Sequence, residues 1–190
     1  MPNWCDNEVD ITGDAEELKR FMAEASKPHP LHEEVVFLMD NLVPMPEELR
    51  DTQAPQDNPN WYNWRLANWG TKWDLGQENG ETQVYYEEGD TEAGLSYLTA
   101  WSPNQDFWAN VSERFPKLTI DLRYVEEGMW FMGQVIYEGG DIVAEIYHND
   151  IPDEIAIKAG AVLTEDGEID WENSELHFWE VFPLIKKELV

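Results

Sequence analysis

Cys5 and the four histidines of this chain are the side chains best suited to nucleophilic or metal chemistry. A cysteine beside a histidine can form a nucleophilic pair, and Cys/His pairs at tight spacing hold zinc. Cys5 is the only cysteine, and no histidine stands in a known catalytic or zinc motif (His29, His32, His148, His177). We therefore expect Cys5 to be a half-buried structural residue and predict no metal site.

Carboxylates are the second group able to do chemistry. Acid pairs are so frequent here that general acid–base catalysis is not excluded by residue type, but no spacing singles out one pair. The acids of residues 164–172 lack the Asp-x-Asp-x-Asp-Gly spacing of a calcium loop, which leaves weak calcium or magnesium binding as an alternative. Walker, GxSxG and GxGxxG motifs do not occur. We predict no enzyme activity and no cofactor.

The segment WYNWRLANWGTKWD, residues 61–74, is unusually rich in tryptophan. Helical spacing predicts a short helix over residues 61–68 that ends at Gly70 and packs its tryptophans into a core. The alternative is a cleft for a small ligand or a peptide. That cleft would use Trp61, Trp64, Trp69, Trp73 and Trp101. Stacking of nucleic-acid bases normally needs a basic groove, whereas only Arg65 and Lys72 lie near these tryptophans in the sequence.

The charge of the chain narrows its possible partners. There are 40 Asp and Glu residues against 12 Lys and Arg, which gives a formal net charge of -28. Such a field repels nucleic acid and anionic membranes, so we expect neither as a direct partner. Residues 73–113 contain no Lys or Arg, and Lys158 is the only one between Tyr124 and Leu184. The acids should therefore form surface patches, either for solubility alone or for a cationic partner.

The functional interpretation of those patches is imitation of DNA. Duplex DNA presents a dense row of negative charge, and carboxylates accept bidentate arginine as phosphates do. We predict binding to the basic surface of a nucleic-acid-binding protein. The predicted partner-binding residues lie in or beside the last strands, where we expect them to be exposed and close together: Glu126, Glu127, Glu138, Asp141 and Glu145.

Hydropathy patterns predict the elements that carry these residues. Residues 7–13 alternate as a half-buried strand, and Asp14 should cap the following helix in a capping box with Glu17. The apolar run 35–43 is predicted as a strand. Residues 95–101 are predicted as a strand, and 102–104 should begin a second helix. Three further strands, at 118–124, 130–137 and 142–147, form a predicted antiparallel meander.

This order predicts an α+β fold, a mainly antiparallel sheet with helices on one face. With 190 residues, 42% of them hydrophobic, the chain can bury a real core. We divide it into one domain over 1–150 and an acidic C-terminal extension over 151–190, packed on or beside it. The extension should hold a turn at 165–168 and a terminal helix capped by Ser174.

The location of the protein is predicted from what the sequence lacks. A single cysteine fits a reducing compartment. The start, MPNWCDNEVD, shows no signal-peptide pattern, and no apolar run is long enough for a membrane span. We expect a cytoplasmic protein.

An ordered series of short motifs resembles the YubB-like family of plasmid and phage proteins. The series is MPNWCDN, LVPMPEEL, WYNWRLANWGTKWD, LTAWSP, SERFPKLTI and YVEEGMWFMG, within residues 1–140. The resemblance implies a ferredoxin-like domain and a mobile genetic element as the setting, and it supplies no catalytic residue. Since mobile elements gain from blocking host restriction or CRISPR enzymes, we predict an inhibitor of such defence.

Overall fold

The structure is a computed structural model of the chain. It describes residues 3–28, 37–76, 80, 82–129, 131–149, 152–174, 176, 181 and 184. The strands within these ranges are β1 (Trp4–Gly13), β2 (Gln83–Tyr85), β3 (Glu92–Ala100), β4 (Leu118–Glu126), β5 (Phe131–Glu138) and β6 (Asp141–His148). The helices with bounds inside the same ranges are α1 (Ala15–Ala25), α2 (Met39–Leu42), α3 (Trp61–Trp69), α4 (Gln105–Arg114) and α5 (Asp153–Lys158), and a 3₁₀ turn lies at Glu47–Leu49.

The six strands form one antiparallel sheet in the order β2-β3-β1-β4-β5-β6. The first four strands, with α1 after β1 and α4 after β3, follow the βαββαβ order of a ferredoxin-like domain. β5 and β6 continue the sheet beyond β4 as hairpins. The predicted α+β class, antiparallel sheet and meander are confirmed.

One side of the sheet is buried under helices. Val9 and Ile11 of β1 lie in the main hydrophobic core with Phe21 of α1 and Trp108 of α4. The predicted Asp14 cap of α1 is confirmed, because the Asp14 carboxylate accepts the backbone N–H of Glu17 at 3.0 Å. The second bond of the predicted capping box does not form, since the Asp14 N–H donates to the Lys117 carbonyl at 3.4 Å. The Glu17 side chain pairs with Arg20 at 3.2 Å.

The predicted strand over residues 35–43 is wrong. Residues 35 and 36 lie outside the described part, and Met39–Leu42 form the short helix α2. The carboxylate of Asp74, 35 residues further along, accepts the N–H of Met39 at 2.7 Å and fixes the first turn. It also accepts the N–H of Asp40 at 3.1 Å. A short, buried apolar run shows no periodicity that separates a strand from a helix, so only this distant acceptor decides between them.

The C-terminal part contacts the opposite side of the sheet. Ile155 and Ala156 of α5 form a second apolar cluster with Val125 of β4 and Met132 of β5. The predicted turn at 165–168 is confirmed, because the N–H of Gly167 donates to the Thr164 carbonyl at 3.0 Å. Most of the predicted helix after Ser174 lies outside the described residues. Within the described ranges, no helix has the length and apolar character needed to cross a bilayer.

Asp74 generates a prediction about stability and pH. Only 2% of it is exposed, and its carboxylate accepts three backbone N–H groups, from Met39, Asp40 and Leu75. Replacement by Asn puts an amide N–H₂ against these donors, so Asp74→Asn should lower the free energy of unfolding by about 2 kcal/mol. Urea titration followed by tryptophan fluorescence measures this, with the exposed Asp51→Asn as control.

The Asp74→Asn variant should also differ from the parent in how its free energy of unfolding depends on pH. Burial raises the pKa of Asp74 from 3.8 to about 6. Because the folded chain then holds this proton more tightly than the unfolded chain, the associated stability is present below 3.8 and is lost as pH rises through about 6. The difference in unfolding free energy between parent and Asp74→Asn should narrow over that window. A difference that is constant with pH would contradict the raised pKa.

Candidate functional site

Three carboxylates share one side of the central strand β1. Successive strand residues point to opposite faces, and Val9 and Ile11 face the helix-covered core. Asp6, Glu8 and Asp10 therefore lie on the other face, separated by about 7 Å from one to the next at ordinary strand rise. β1 is hydrogen-bonded to β3 on one side and to β4 on the other, which fixes this spacing.

Neighbouring strands extend the row of carboxylates. Asp121 of β4 lies directly across from Asp10, and Glu92 of β3 lies across from Thr12. The intervening cation is Arg123, which bridges Glu8 at 3.2 Å and also Asp10. The side-chain amide of Gln134 donates to Asp121 at 2.7 Å. We call the five carboxylates the acidic face: Asp6, Glu8, Asp10, Glu92 and Asp121.

The ionisation of Asp6 reports on the local field. Its pKa is raised, first by burial and then by the negative charges of Glu127 and Glu8. Like charges raise a carboxyl pKa because each ionised neighbour makes a further negative charge more costly. The carboxylates near Asp6 therefore repel one another.

The predicted partner-binding set is only partly exposed. Glu127, Glu138, Asp141 and Glu145 are exposed as expected. The expected exposure of Glu126 is wrong, because only 1% of this residue is accessible. Its carboxylate accepts the N–H groups of Gly128 at 2.8 Å and Met129 at 2.6 Å and so closes the β4–β5 turn.

The predicted closeness of these five residues is wrong. Glu127 follows the end of β4, whereas Glu138 and Asp141 pair at the far end of β5. The eight residues of β5 separate the two ends by about 23 Å at ordinary strand rise. Glu145 lies on β6 across from Val135. A turn places its acids at one end of a hairpin, and consecutive turns of a meander lie at opposite ends.

Two of the predicted site tryptophans belong to the core. Trp69 is fully buried, and its indole N–H donates to the Val43 carbonyl at 2.9 Å. Trp64 is half-buried and lies edge-on to Trp69 at 5.6 Å between ring centres. The predicted helix and its end are confirmed, since α3 ends at Gly70 with φ 75°, a left-handed conformation that glycine adopts without strain.

Trp4, Trp73 and Trp101 lie together, and we call them the aromatic edge; Trp61 lines a cavity beside them. The centre of the Trp73 ring lies 5.8 Å from that of Trp101, with the two rings stacked, and 6.0 Å from that of Trp4. The Lys72 ammonium is 4.2 Å from the Trp73 ring centre. Trp101 is 45% exposed and has φ 65°, which is unfavourable for a bulky residue. A shallow cavity of about 310 Å³ opens beside this edge. It is lined by Ala54, Pro55, Trp61, Tyr62, Lys72 and Trp101.

Of the residues considered for nucleophilic or metal chemistry, the structure describes Cys5 and His148, which lie on β1 and β6 with β4 and β5 between them. Cys5 is fully buried and not half-buried as expected, and burial raises the pKa of its thiol. His148 is half-buried at the end of β6, while His29, His32 and His177 lie outside the described residues. Within the described part, no group of three or more His, Cys, Asp or Glu side chains is arranged to hold a metal ion.

Comparisons with known proteins identify the domain. The family model described as "Ferredoxin-like domain in Api92-like protein" matches residues 69–173, which extends past the boundary we placed at 150. A crystal structure of the protein api92 from Yersinia pseudotuberculosis covers 80% of this chain and all of its own, with a TM-score of 0.53 and 11% identity. That likeness shows the fold alone. Among curated proteins, no match to the chain is found. The ferredoxin-like expectation is confirmed, and the YubB-like resemblance stays a prediction.

The different burial of the tryptophans generates a pair of expected outcomes. Trp69→Ala removes a buried indole and its hydrogen bond, so it should lower the free energy of unfolding by about 3–5 kcal/mol. Trp101→Gly loses one stacking contact but relieves the positive φ, so its effect should stay within about 1 kcal/mol. Urea unfolding followed by circular dichroism measures both. Equal losses would show that Trp101 supports the fold as much as Trp69 does.

Proposed function

The chain belongs to the Api92-like family of ferredoxin-like domains, and we propose that it is a non-enzymatic binding protein that presents carboxylates in place of DNA phosphates. Its partner in this proposal is the basic surface of a nucleic-acid-binding protein. The proposed setting is a phage or plasmid, with host restriction or CRISPR enzymes as the targets in the cytoplasm. The family description itself names no activity.

The acidic face is the observation that carries the proposal. Asp10 lies directly opposite Asp121, and like charges opposite one another in a sheet are destabilising. Arg123 offsets part of this repulsion through Glu8 and Asp10. The pKa of Asp6 is raised first by burial and then by the negative charges of Glu127 and Glu8, which supports a remaining repulsion near Asp6. A cationic partner would add countercharge to this row of carboxylates and so offset part of that cost.

The geometry of β1 suits recognition of arginine and lysine. Its carboxylates stand on a strand that is paired on both sides, so they are held at fixed spacing and lose little freedom on binding. Carboxylates accept the two parallel N–H groups of a guanidinium as phosphate does. The net charge of -28 attracts a basic surface over about 10 Å at 0.1 M salt and so raises the association rate.

A charge-neutral variant of the acidic face tests the proposal. The combination Asp6→Asn, Glu8→Gln and Glu92→Gln keeps Asp10 as the partner of Arg123. A matched control neutralises three exposed acids elsewhere, Glu16→Gln, Glu48→Gln and Asp51→Asn. Both variants carry the same net charge, so any difference between them reports on location.

The measurement uses DNA as the competitor. Immobilised parent protein is exposed to bacterial lysate, and bound proteins are eluted with duplex DNA and identified. For an eluted protein, the association rate should fall about tenfold with the acidic-face variant and much less with the control, as lost electrostatic steering requires. Bound proteins that DNA does not displace, or equal rates for both variants, would refute the proposal.

A second candidate function rests on Trp101. A bulky residue held at φ 65° and 45% exposed is a strained position of the kind that clusters at binding sites. The aromatic edge would bind a small ligand or peptide in the cavity beside Trp61 and Tyr62. A fragment screen by NMR tests this candidate, with Trp101→Gly expected to abolish the shifts without unfolding the chain. Fragments that bind the parent and Trp101→Gly alike would exclude the candidate.

A further inference from the structure

The strand β6 is the last strand of the sheet in the described part of the chain. It pairs with β5, and its other side faces away from the sheet. An edge strand carries a row of backbone N–H and C=O groups that can pair with a further strand. β6 extends over eight residues, whereas β2 at the opposite edge has three.

The side chains of β6 protect it from such pairing by acidic charge and not by proline or lysine. Proteins commonly protect edge strands with proline or lysine, and the β6 sequence DIVAEIYH contains neither. Large apolar side chains are accessible on it, with Ile142 55% exposed, Val143 53% and Tyr147 50%. The first part of β6 is irregular. Ile136 pairs with Ala144 and Tyr137 with Ile142, so Val143 is an extra residue on β6. Ala144–His148 is a regular segment.

We propose that β6 binds an extended basic segment of the partner protein as an additional strand along residues 144–148. Backbone hydrogen bonds would hold the segment, and side-chain contacts would select it. This inference rests on the proposed function, since it names the element that would take hold of a basic partner. It goes beyond that function by specifying an extended chain and its side-chain pattern.

The acidic residues of β6 indicate which kind of segment would pair with this edge. Glu145 stands in the regular segment, and Glu138 and Asp141 face one another at the start of β6. A second copy of this chain would bring its own Glu145 and a net charge of -28 against the same edge, which like-charge repulsion disfavours. A segment that carries Lys or Arg meets attraction at the same positions.

The register of β6 defines the preferred pattern of that segment. Glu145 lies across from Val135 and Tyr147 across from Gly133, so both point to the helix-covered side of the sheet. The centre of the Tyr147 ring lies 6.3 Å from the centre of the Phe131 ring, and Tyr147 is 50% exposed. An added strand would place one side chain beside Glu145 and another, two residues away, beside Tyr147. We therefore expect a basic residue two positions from a large apolar residue.

A synthetic peptide serves as the probe. In this short peptide, Lys and Val alternate on one face and Thr occupies the other. Two further peptides keep the same side chains but carry methyl groups on one or the other set of alternate backbone nitrogens. Since a strand pairs through alternate N–H groups on each edge, one methylated peptide should lose binding and the other should retain it. Amide shifts and hydrogen exchange should map binding of the parent peptide to residues 144–148.

Charge reversal on β6 supplies the matched variant. Glu145→Lys should weaken binding of the parent peptide about fivefold, because an exposed attraction is replaced by a repulsion. Glu16→Lys makes the same change on the exposed surface of α1 and should leave binding within about twofold.

The possible outcomes separate this inference from the proposed function. Equal binding of all three peptides, or shifts confined to β1, would overturn strand addition and leave the acidic-face proposal standing. A dimer in sedimentation with residues 144–148 protected from exchange would make a second copy the occupant and also overturn the inference. Loss of binding with one methylated peptide and with Glu145→Lys would support it, even if the acidic-face variant behaved as its control does.

Discussion

The antiparallel pairing of β1 with both β3 and β4 is the constraint on which the rest of the structure depends. Once β1 lies between two strands, its alternate residues are committed to opposite faces. Val9 and Ile11 then face α1 and α4, and the acids of the same strand face away from them. A register shift of one residue would bury the acids of β1 under the helices and expose the core. The hydrophobic core therefore fixes the acidic face.

Aromatic packing helps this fold tolerate its charge. Phe21 contacts Phe115 at 5.3 Å and Trp108 at 6.2 Å between ring centres, and each buried aromatic pair adds stability beyond its area. Trp108 and Tyr97 of this core also make buried hydrogen bonds. The Trp108 indole N–H donates to the Tyr97 hydroxyl at 2.7 Å, and that hydroxyl donates to Asn104 at 2.8 Å. Carboxylates that repel one another lower the stability of the compact state, and a core of this kind offsets the loss.

Much of the fold could be predicted from local signals, and the error over residues 35–43 has a non-local cause. Alternation in residues 7–13 and the Asp14 cap each act within a few residues, and both are found in the structure. The helix α2 depends on the carboxylate of Asp74, which no local pattern connects to Met39. Where a buried run has no polar residues to mark a period, the nature of the element is decided by distant partners.

The candidate site was harder to predict than the fold for a related reason. The sequence Asp6-Asn7-Glu8-Val9-Asp10 already shows acids on alternate positions of a predicted strand, so the acidic face had a signal that we assigned only to ordinary exposure. Glu126 gave the opposite error, because a carboxylate at a turn can either project outward or accept backbone N–H groups, as it does with Gly128. Sequence specifies which residues share a face of a strand, but it does not specify which turn carboxylate becomes part of the turn.

The same negative charge has two effects on β6. A long edge strand with exposed apolar residues is a site of self-association unless something prevents it. In this chain the net charge of -28 opposes contact between copies, and Glu145 repeats that opposition within the regular segment. The negative charge that repels a second copy also attracts a basic chain. This charge therefore protects the edge from the wrong partner and selects the proposed one. Discrimination of this kind needs no pocket, because an accessible strand supplies both the backbone groups and the charge that recognise the partner.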